Sequence, residues 1–253
     1  MHQHNTNHNN GARPSAAYPD SGSPEEFWEQ RYAGSSPIWS GKVNATLASA
    51  VAELVPGRSL DLGSGEGADV LWLAERGWQA RGIELSPTAV NRARAAVTAK
   101  SSDQASFEVR NLAEWASAGL QDDCEQEAFE LITASFFQSP VELLRAEILR
   151  AALARLTPGG RLVLVSHAAP PPWANSQQGQ LDPGHDHSAQ RKGPTFYSPA
   201  DELAQLGLAS ATAEPQHTAE YVVEVAEIRQ RQVKDPEGAA ALIDDSLVVV
   251  RRR

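Results

Sequence analysis

Apolar positions change their period repeatedly along the chain, and each change marks an element. Short apolar runs at 58–62, 78–84, 106–110, 129–134 and 161–166 have strand length and predict five strands. Between them the apolar spacing stretches to three and four residues. Residues 68–76 read as a helix stopped by Gly77. Ser86-Pro87 starts another that runs to about Lys100, with serine as cap and proline in the first helical position. Residues 141–156 carry Leu144, Ile148 and Leu156 at helical spacing, and Pro158-Gly159-Gly160 is a turn. Upstream, residues 25–32 form a short amphipathic helix, and Asn44 caps a helix with Leu47, Val51 and Leu54 on one face. Downstream, residues 199–206 form a short helix. Apolar segments within about 221–228 and at 246–250 pair as an antiparallel hairpin at a sheet edge.

Strands alternating with helices predict an α/β fold, a parallel sheet covered on both faces. The length of 253 residues suits one such domain with a tail. Residues 1–24 are rich in His, Asn, Gly, Ser and Pro, lack apolar periodicity and are expected to be a disordered tail. Residues 25–253 are expected to form the domain, with 25–56 as a helical cap. A Pro-, Gln-, Gly- and His-containing connection at 168–195 is long enough to suggest a functional loop on the substrate side.

Charge and cysteine count narrow the function classes. A formal net charge of −10 repels phosphate backbones, which argues against a nucleic-acid partner. Arg251, Arg252 and Arg253 read as a solvated end. Cys124 is the single cysteine, so no disulfide within the chain and no cysteine-based metal framework is expected. Its acidic neighbours disfavour a thiolate nucleophile. His2, His4 and His8 in the tail, and His185 and His187 in the long connection, are not read as a metal site. With no signal peptide and no apolar run of about 20 residues, a soluble cytoplasmic protein without membrane contact is expected.

The chemistry-bearing segment is Leu60-Asp61-Leu62-Gly63-Ser64-Gly65-Glu66-Gly67, at the end of the first strand. Glycines let a backbone turn tightly and approach a ligand closely. Glu84 ends the next strand, where a carboxylate can bind both hydroxyls of a ribose. Gly63, Gly65 and Ala68 also satisfy the loose dinucleotide pattern G-x-G-x-x-A. Asp61 and Glu66 would repel a pyrophosphate seated there, and would favour the cationic amine and sulfonium of S-adenosylmethionine.

Here the sequence resembles the class I methyltransferases. The matching stretches are Asp61 to Gly67, Gly82-Ile83-Glu84-Leu85-Ser86, and Leu156-Thr157-Pro158-Gly159-Gly160-Arg161-Leu162. The resemblance covers about 27–250 and implies a doubly wound, mostly parallel Rossmann-like sheet ending in an antiparallel hairpin. By it, Gly63, Ser64, Gly65 and Gly67 would face the methionine part of S-adenosylmethionine, and Asp61 its amine. Glu84 and Leu85 would meet the ribose and its surroundings. Asn111, where the family usually has Asp, and the backbone N–H of Leu112 would meet the adenine. Ala134 and Ser135 would lie beside the sulfonium.

The segment Phe27 to Tyr32, with Trp39-Ser40-Gly41, is similar to the N-terminal cap of small-molecule methyltransferases of the tellurite-resistance and thiopurine groups. That likeness makes Trp28 and Trp39 candidate substrate contacts and suggests a soft thiol or metalloid acceptor; Trp173 and Phe196, which bracket the long connection, are candidates to pack on a substrate. His167, directly after the fifth strand, is the candidate base or substrate contact. Thr133 to Phe137 does not resemble the Asn/Asp-Pro-Pro-Tyr/Phe motif of enzymes that methylate base or glutamine amino groups. Two other readings stand: a non-catalytic S-adenosylmethionine-binding module of the same fold, and a nicotinamide-dependent oxidoreductase.

Overall fold

The computed structural model describes residues 22–34, 37–98, 101, 103–118, 127–174, 196–208 and 220–253. Two helices, α1 (Pro24–Tyr32) and α2 (Ala45–Val51), precede the alternation β1 (Arg58–Leu62), α3 (Ala68–Ala74), β2 (Gln79–Glu84), α4 (Pro87–Ala95) and β3 (Ala105–Val109). It continues with α5 (Leu112–Ala118), β4 (Phe129–Ser135), α6 (Arg145–Ala154), β5 (Leu156–His167), α7 (Pro199–Leu206), β6 (Tyr221–Lys234) and β7 (Ala240–Arg252).

The seven strands form one sheet in the order β3-β2-β1-β4-β5-β7-β6. The first five are parallel, and β7 inserts antiparallel between β5 and β6. Strand order reverses between β1 and β4, so a crevice opens beyond their carboxyl ends. Because both faces are covered, the strands bury alternate residues in opposite layers. On β5, Leu162 and Leu164 join Leu60, Leu62, Ile132, Ile148 and Leu149 on the face of α5, α6 and α7. Val163 and Val165 join Leu47, Val70, Leu73, Trp78 and Val90 on the face of α2, α3 and α4. Each fully buried side chain of this kind contributes about 1.5–3 kcal/mol.

Several boundaries differ from expectation for local reasons. α1 begins at Pro24, the last residue of the expected tail, because Ser23 and Glu26 form a reciprocal capping box. The remainder of that expected tail, 1–21, lies outside the described residues. α4 ends at Ala95, short of Lys100. α6 starts at Arg145 rather than 141. The 158–160 turn is absorbed into β5, which already pairs at Leu156 with Phe129 before the register shifts. The hairpin is longer than its apolar core, pairing as far as Lys234 with Ala240. α5 was not anticipated; Asn111 caps it, and it buries Leu112, Trp115 and Ala116.

Candidate functional site

The turn after β1 is closed by its own backbone. The N–H groups of Gly63 and Ser64 both donate to the Ile83 carbonyl, at 2.9 and 3.1 Å. Gly67 donates to Ser64 and stands at the N-cap of α3 with φ of +85°. A Cβ on Gly67 would sit 2.7 Å from the Phe107 ring and 2.8 Å from the Ala93 methyl. Gly65, at φ of +52°, would place a Cβ 2.8 Å from the Tyr32 hydroxyl. Only glycine fits at positions 65 and 67, on conformational and steric grounds together. The Ser64 hydroxyl is buried and has no hydrogen-bond partner among the described residues.

Three carboxylates are buried around this turn. Asp61 accepts from the Thr133 hydroxyl at 2.6 Å across the β1–β4 switch. Asp69, in the first turn of α3, accepts from the Asn44 N–H at 2.9 Å. Glu84 accepts from the N–H groups of Gly65 and Ser86, both at 3.0 Å. Burial raises all three pKa values above the ordinary carboxylate range. For Asp61 the neighbouring Asp69 and Glu84 charges push the same way, against the Thr133 bond. Glu66 is different: Arg92 and the N–H groups of Ile38 and Trp39 neutralise it, so it anchors residues 38–39. It does not act as the bare anion that its place in the turn suggested.

α1 lies across the carboxyl ends of the strands. The Glu29 carboxylate accepts from the Ser86 hydroxyl and from Thr88, at the N-terminus of α4. These bonds hold the Glu29 pKa low. The Trp39 indole donates to the Tyr32 hydroxyl at 3.0 Å, and Trp28 lies 6.2 Å from the Tyr32 ring. Trp28 and Trp39 thus share one aromatic cluster over Gly65, although Trp39 stays 51% exposed. The Asn111 amide donates to Glu25, and its oxygen accepts from Ala113 and Glu114 at 2.8 and 3.1 Å. The acceptor lone pairs expected to meet an adenine amine therefore cap α5, and Glu25 brings a carboxylate to the same spot. A cavity of about 180 Å³ opens there, lined among others by Glu25, Leu85, Asn111, Leu112, Leu143 and Leu144.

The ends of β4 and β5 form the other side. Ala134 is fully buried, while Ser135 is half-buried and pairs in register with Val165. Phe136 follows with φ of +53°, the sole non-glycine residue with positive φ among those described. His167 stacks on its ring with centroids 4.2 Å apart. The imidazole Nδ1 lies 3.9 Å from an oxygen of the fully buried Asp245. Asp245 also accepts from Thr46 at 2.9 Å and from Arg231 at 2.7 Å. Burial lowers the His167 pKa; Asp245 opposes this and Arg231 adds to it.

Trp173 and Phe196 are half-buried, and Tyr197 donates its N–H to the His167 carbonyl at 3.1 Å. Cys124, His2, His4, His8, His185 and His187 lie outside the described residues. Among the described residues no group of three or more His, Cys, Asp or Glu is placed to hold a metal. Sequence reasoning missed Tyr32, Asp69, Glu25, Glu29 and Asp245. Their partners are 25 to 199 residues away for the bonds to Asn44, Asn111, Thr88 and Thr46, beyond any local pattern.

Comparison with known proteins bears on the fold and the family. A methyltransferase-domain family matches residues 38–209. A methyltransferase structure from Anabaena variabilis, described as dependent on S-adenosylmethionine, superimposes with a TM-score of 0.62 at 16% identity, covering 95% of this chain and 99% of that one. A structure described for conversion of a disulfide bond into a thioacetal group in echinomycin biosynthesis gives 0.59 at 22% identity, covering 90% and 92%. TehB from Haemophilus influenzae gives 0.54 at 12% identity, covering 90% and 67%. No sequence among the curated proteins matches the chain. The chain belongs to the methyltransferase-domain family, and its fold is that of these enzymes.

Proposed function

We propose that this protein transfers a methyl group from S-adenosylmethionine to a small-molecule acceptor. The observation that carries this reading is the trio Asp61, Asp69 and Glu84, buried beside a glycine turn with no basic partner among the described residues. A cationic amine and a sulfonium suit that field; a pyrophosphate does not. The fit argues against the nicotinamide reading.

The chain's own residues divide the work. Gly63, Ser64, Gly65 and Gly67 give backbone access to the methionine part, and Asp61 with Asp69 supplies negative charge for its amine. Glu84 holds Gly65 and Ser86 in place while presenting its carboxylate to the ribose. Leu85, Leu112 and Asn111, with Glu25 from α1, line the cavity for the adenine. Ala134 and Ser135 stand at the methyl-bearing side. The bound cofactor supplies a methyl group already activated by its sulfonium. The protein's contribution is to align the acceptor and exclude water, and α1 with its aromatic cluster is placed for the second task. Trp28, Trp39, Trp173 and Phe196 are assigned to the acceptor side.

The cap supports membership of the small-molecule type similar to the tellurite-resistance and thiopurine groups, in a soluble cytoplasmic protein. Among the described residues no helix is long and apolar enough to cross a membrane. The domain is taken as 25–253, with 25–56 as cap; of the connection 168–195, expected on the substrate side, residues 175–195 lie outside the described residues. The soft acceptor that this likeness suggests would need no base, whereas the site holds one candidate, His167.

Labelled methyl transfer tests the reading against the non-catalytic alternative. The protein is incubated with labelled S-adenosylmethionine and a panel of thiols, a metalloid oxyanion and phenols. Labelled product from any of them is expected. Tight S-adenosylhomocysteine binding without label in any acceptor would favour the binding module.

A further inference from the structure

We propose that His167 is the general base of the acceptor site, oriented by the buried Asp245, and that the acceptor is a weakly acidic hydroxyl such as a phenol. This rests on the methyl-transfer reading and adds the acceptor class to it.

The stoichiometry of the reaction creates the need. A neutral hydroxyl that gains a methyl group must lose one proton. An oxygen lone pair forms the new O–C bond, and the C–S bond breaks with its electrons left on sulfur, which passes from sulfonium to thioether. The O–H electrons stay on oxygen, and the proton needs a receiver. A thiolate has already shed its proton and makes no such demand.

Three features of the structure meet it at His167. First, its position: the residue ends β5, beside the end of β4 and on the ligand side of the sheet, and its side chain is 42% exposed. Second, its orientation: Nδ1 faces Asp245 Oδ1 at 3.9 Å, an electrostatic rather than a hydrogen-bonded approach. That carboxylate favours the proton on Nδ1 and leaves the lone pair on Nε2, at the opposite edge of the ring. Asp245 is itself fixed by Thr46 from α2 and Arg231 from β6. Third, its support: the imidazole lies on Phe136 with 25° between the ring planes.

Phe136 holds a left-handed backbone, which is strained for an L-residue. Its N–H donates to Val165 and its carbonyl accepts from Gln138, both at 2.7 Å. The Gln138 side chain in turn accepts from the His167 N–H at 3.2 Å. Strain of this kind persists where the surroundings enforce it, and here the enforced ring is the platform under the imidazole. The charged groups facing the imidazole are Asp245 on β7 and Arg231 on β6. Burial and Arg231 keep it neutral, the form a base requires, while Asp245 opposes them.

Two measurements on the full chain test this. In ¹⁵N-histidine spectra at pH 7.5, the signal that vanishes in His167→Gln should show a neutral ring protonated on Nδ1. A charged ring, or a proton on Nε2, would overturn the proposal without reference to any substrate. In turnover assays, His167→Gln should lose at least about 100-fold in kcat on a phenol whose pKa lies above the assay pH. On a nitrophenol already ionised at that pH, the loss should be about 10-fold or less, because its proton is gone. Equal losses on both acceptors would reduce His167 to a structural role, and wild-type turnover of thiols with no phenol would overturn the acceptor class. Calorimetry with S-adenosylhomocysteine separates the levels: unchanged affinity in His167→Gln is expected. Absence of binding in the wild type would instead defeat the methyl-transfer reading beneath.

Discussion

Asp69 shows how one residue couples cofactor chemistry to stability. Its carboxyl is buried in the first turn of α3 near Asp61, and burial raises its pKa in the folded chain above the 3.8 of an ordinary Asp. Between 3.8 and that raised value the folded state keeps a proton that the unfolded state has released. Stability attributable to Asp69 therefore falls as pH rises through this window. Asp69→Asn keeps an oxygen for the Asn44 N–H but cannot ionise. Its melting temperature should match wild type near pH 3.5 and exceed it increasingly as pH rises through that window. A difference that stays constant or shrinks with pH would show that Asp69 does not titrate as described. Affinity for S-adenosylmethionine should fall in the same variant, because the negative charge proposed to face the amine is lost.

At the scale of elements, α7 is tied to the sheet by a buried ion pair. Arg145 of α6 donates to both oxygens of Glu202 at 2.8 Å, to the Phe137 carbonyl at 2.7 Å and to Gln205 at 2.7 Å. The Ser166 hydroxyl also donates to Glu202, and Tyr197 stacks 4.3 Å under the guanidinium. The network links α7 to the chain just after Phe136 and just before His167, so it bears on the side proposed for the acceptor. Removing one partner of a buried pair costs about 3–5 kcal/mol, because the other charge is stranded. Glu202→Gln should lose this much in urea unfolding, and adding Arg145→Met should recover most of it. Additive losses would mean that packing, not charge, holds α7.

The elements themselves were largely legible in the sequence. The span of β1 matches expectation at both ends, as does that of α7. Asn44 and Ser86 cap the helices assigned to them, with bonds of 3.0 and 3.1 Å. These features are local, set by periodicity and by a side chain reaching its own third neighbour. Boundaries set by tertiary contact were not legible. β6 and β7 outrun their apolar cores because cross-strand bonds extend a hairpin past the point where hydrophobicity ends. α5 is short, and its three buried residues carry too little periodicity to stand out.

At the scale of the whole molecule, the carboxyl ends of β1, β2 and β4 face a crevice floored by glycine and ringed by buried carboxylates, and α1 closes it from above. The glycine turn was legible because its three glycines lie within five residues. The carboxylate ring was only half legible, since Asp69 acquires its meaning from a fold that brings it beside Asp61. His167 was visible as a strand-end residue, but Asp245, which gives it a partner, is 78 positions further on and pairs with it through the β5–β7 register.

The central claim is that this crevice takes S-adenosylmethionine. The most direct measurement is thermal stabilisation of the purified protein by S-adenosylhomocysteine, with NAD and NADP in parallel. A ligand that binds only the folded state adds about 2.7 kcal/mol at 100 times its dissociation constant. A clear upward shift with S-adenosylhomocysteine and none with either dinucleotide is the predicted result. No shift with S-adenosylhomocysteine, or a shift with NAD or NADP instead, would contradict the assignment of the Asp61–Gly67 turn and the mechanism built on it.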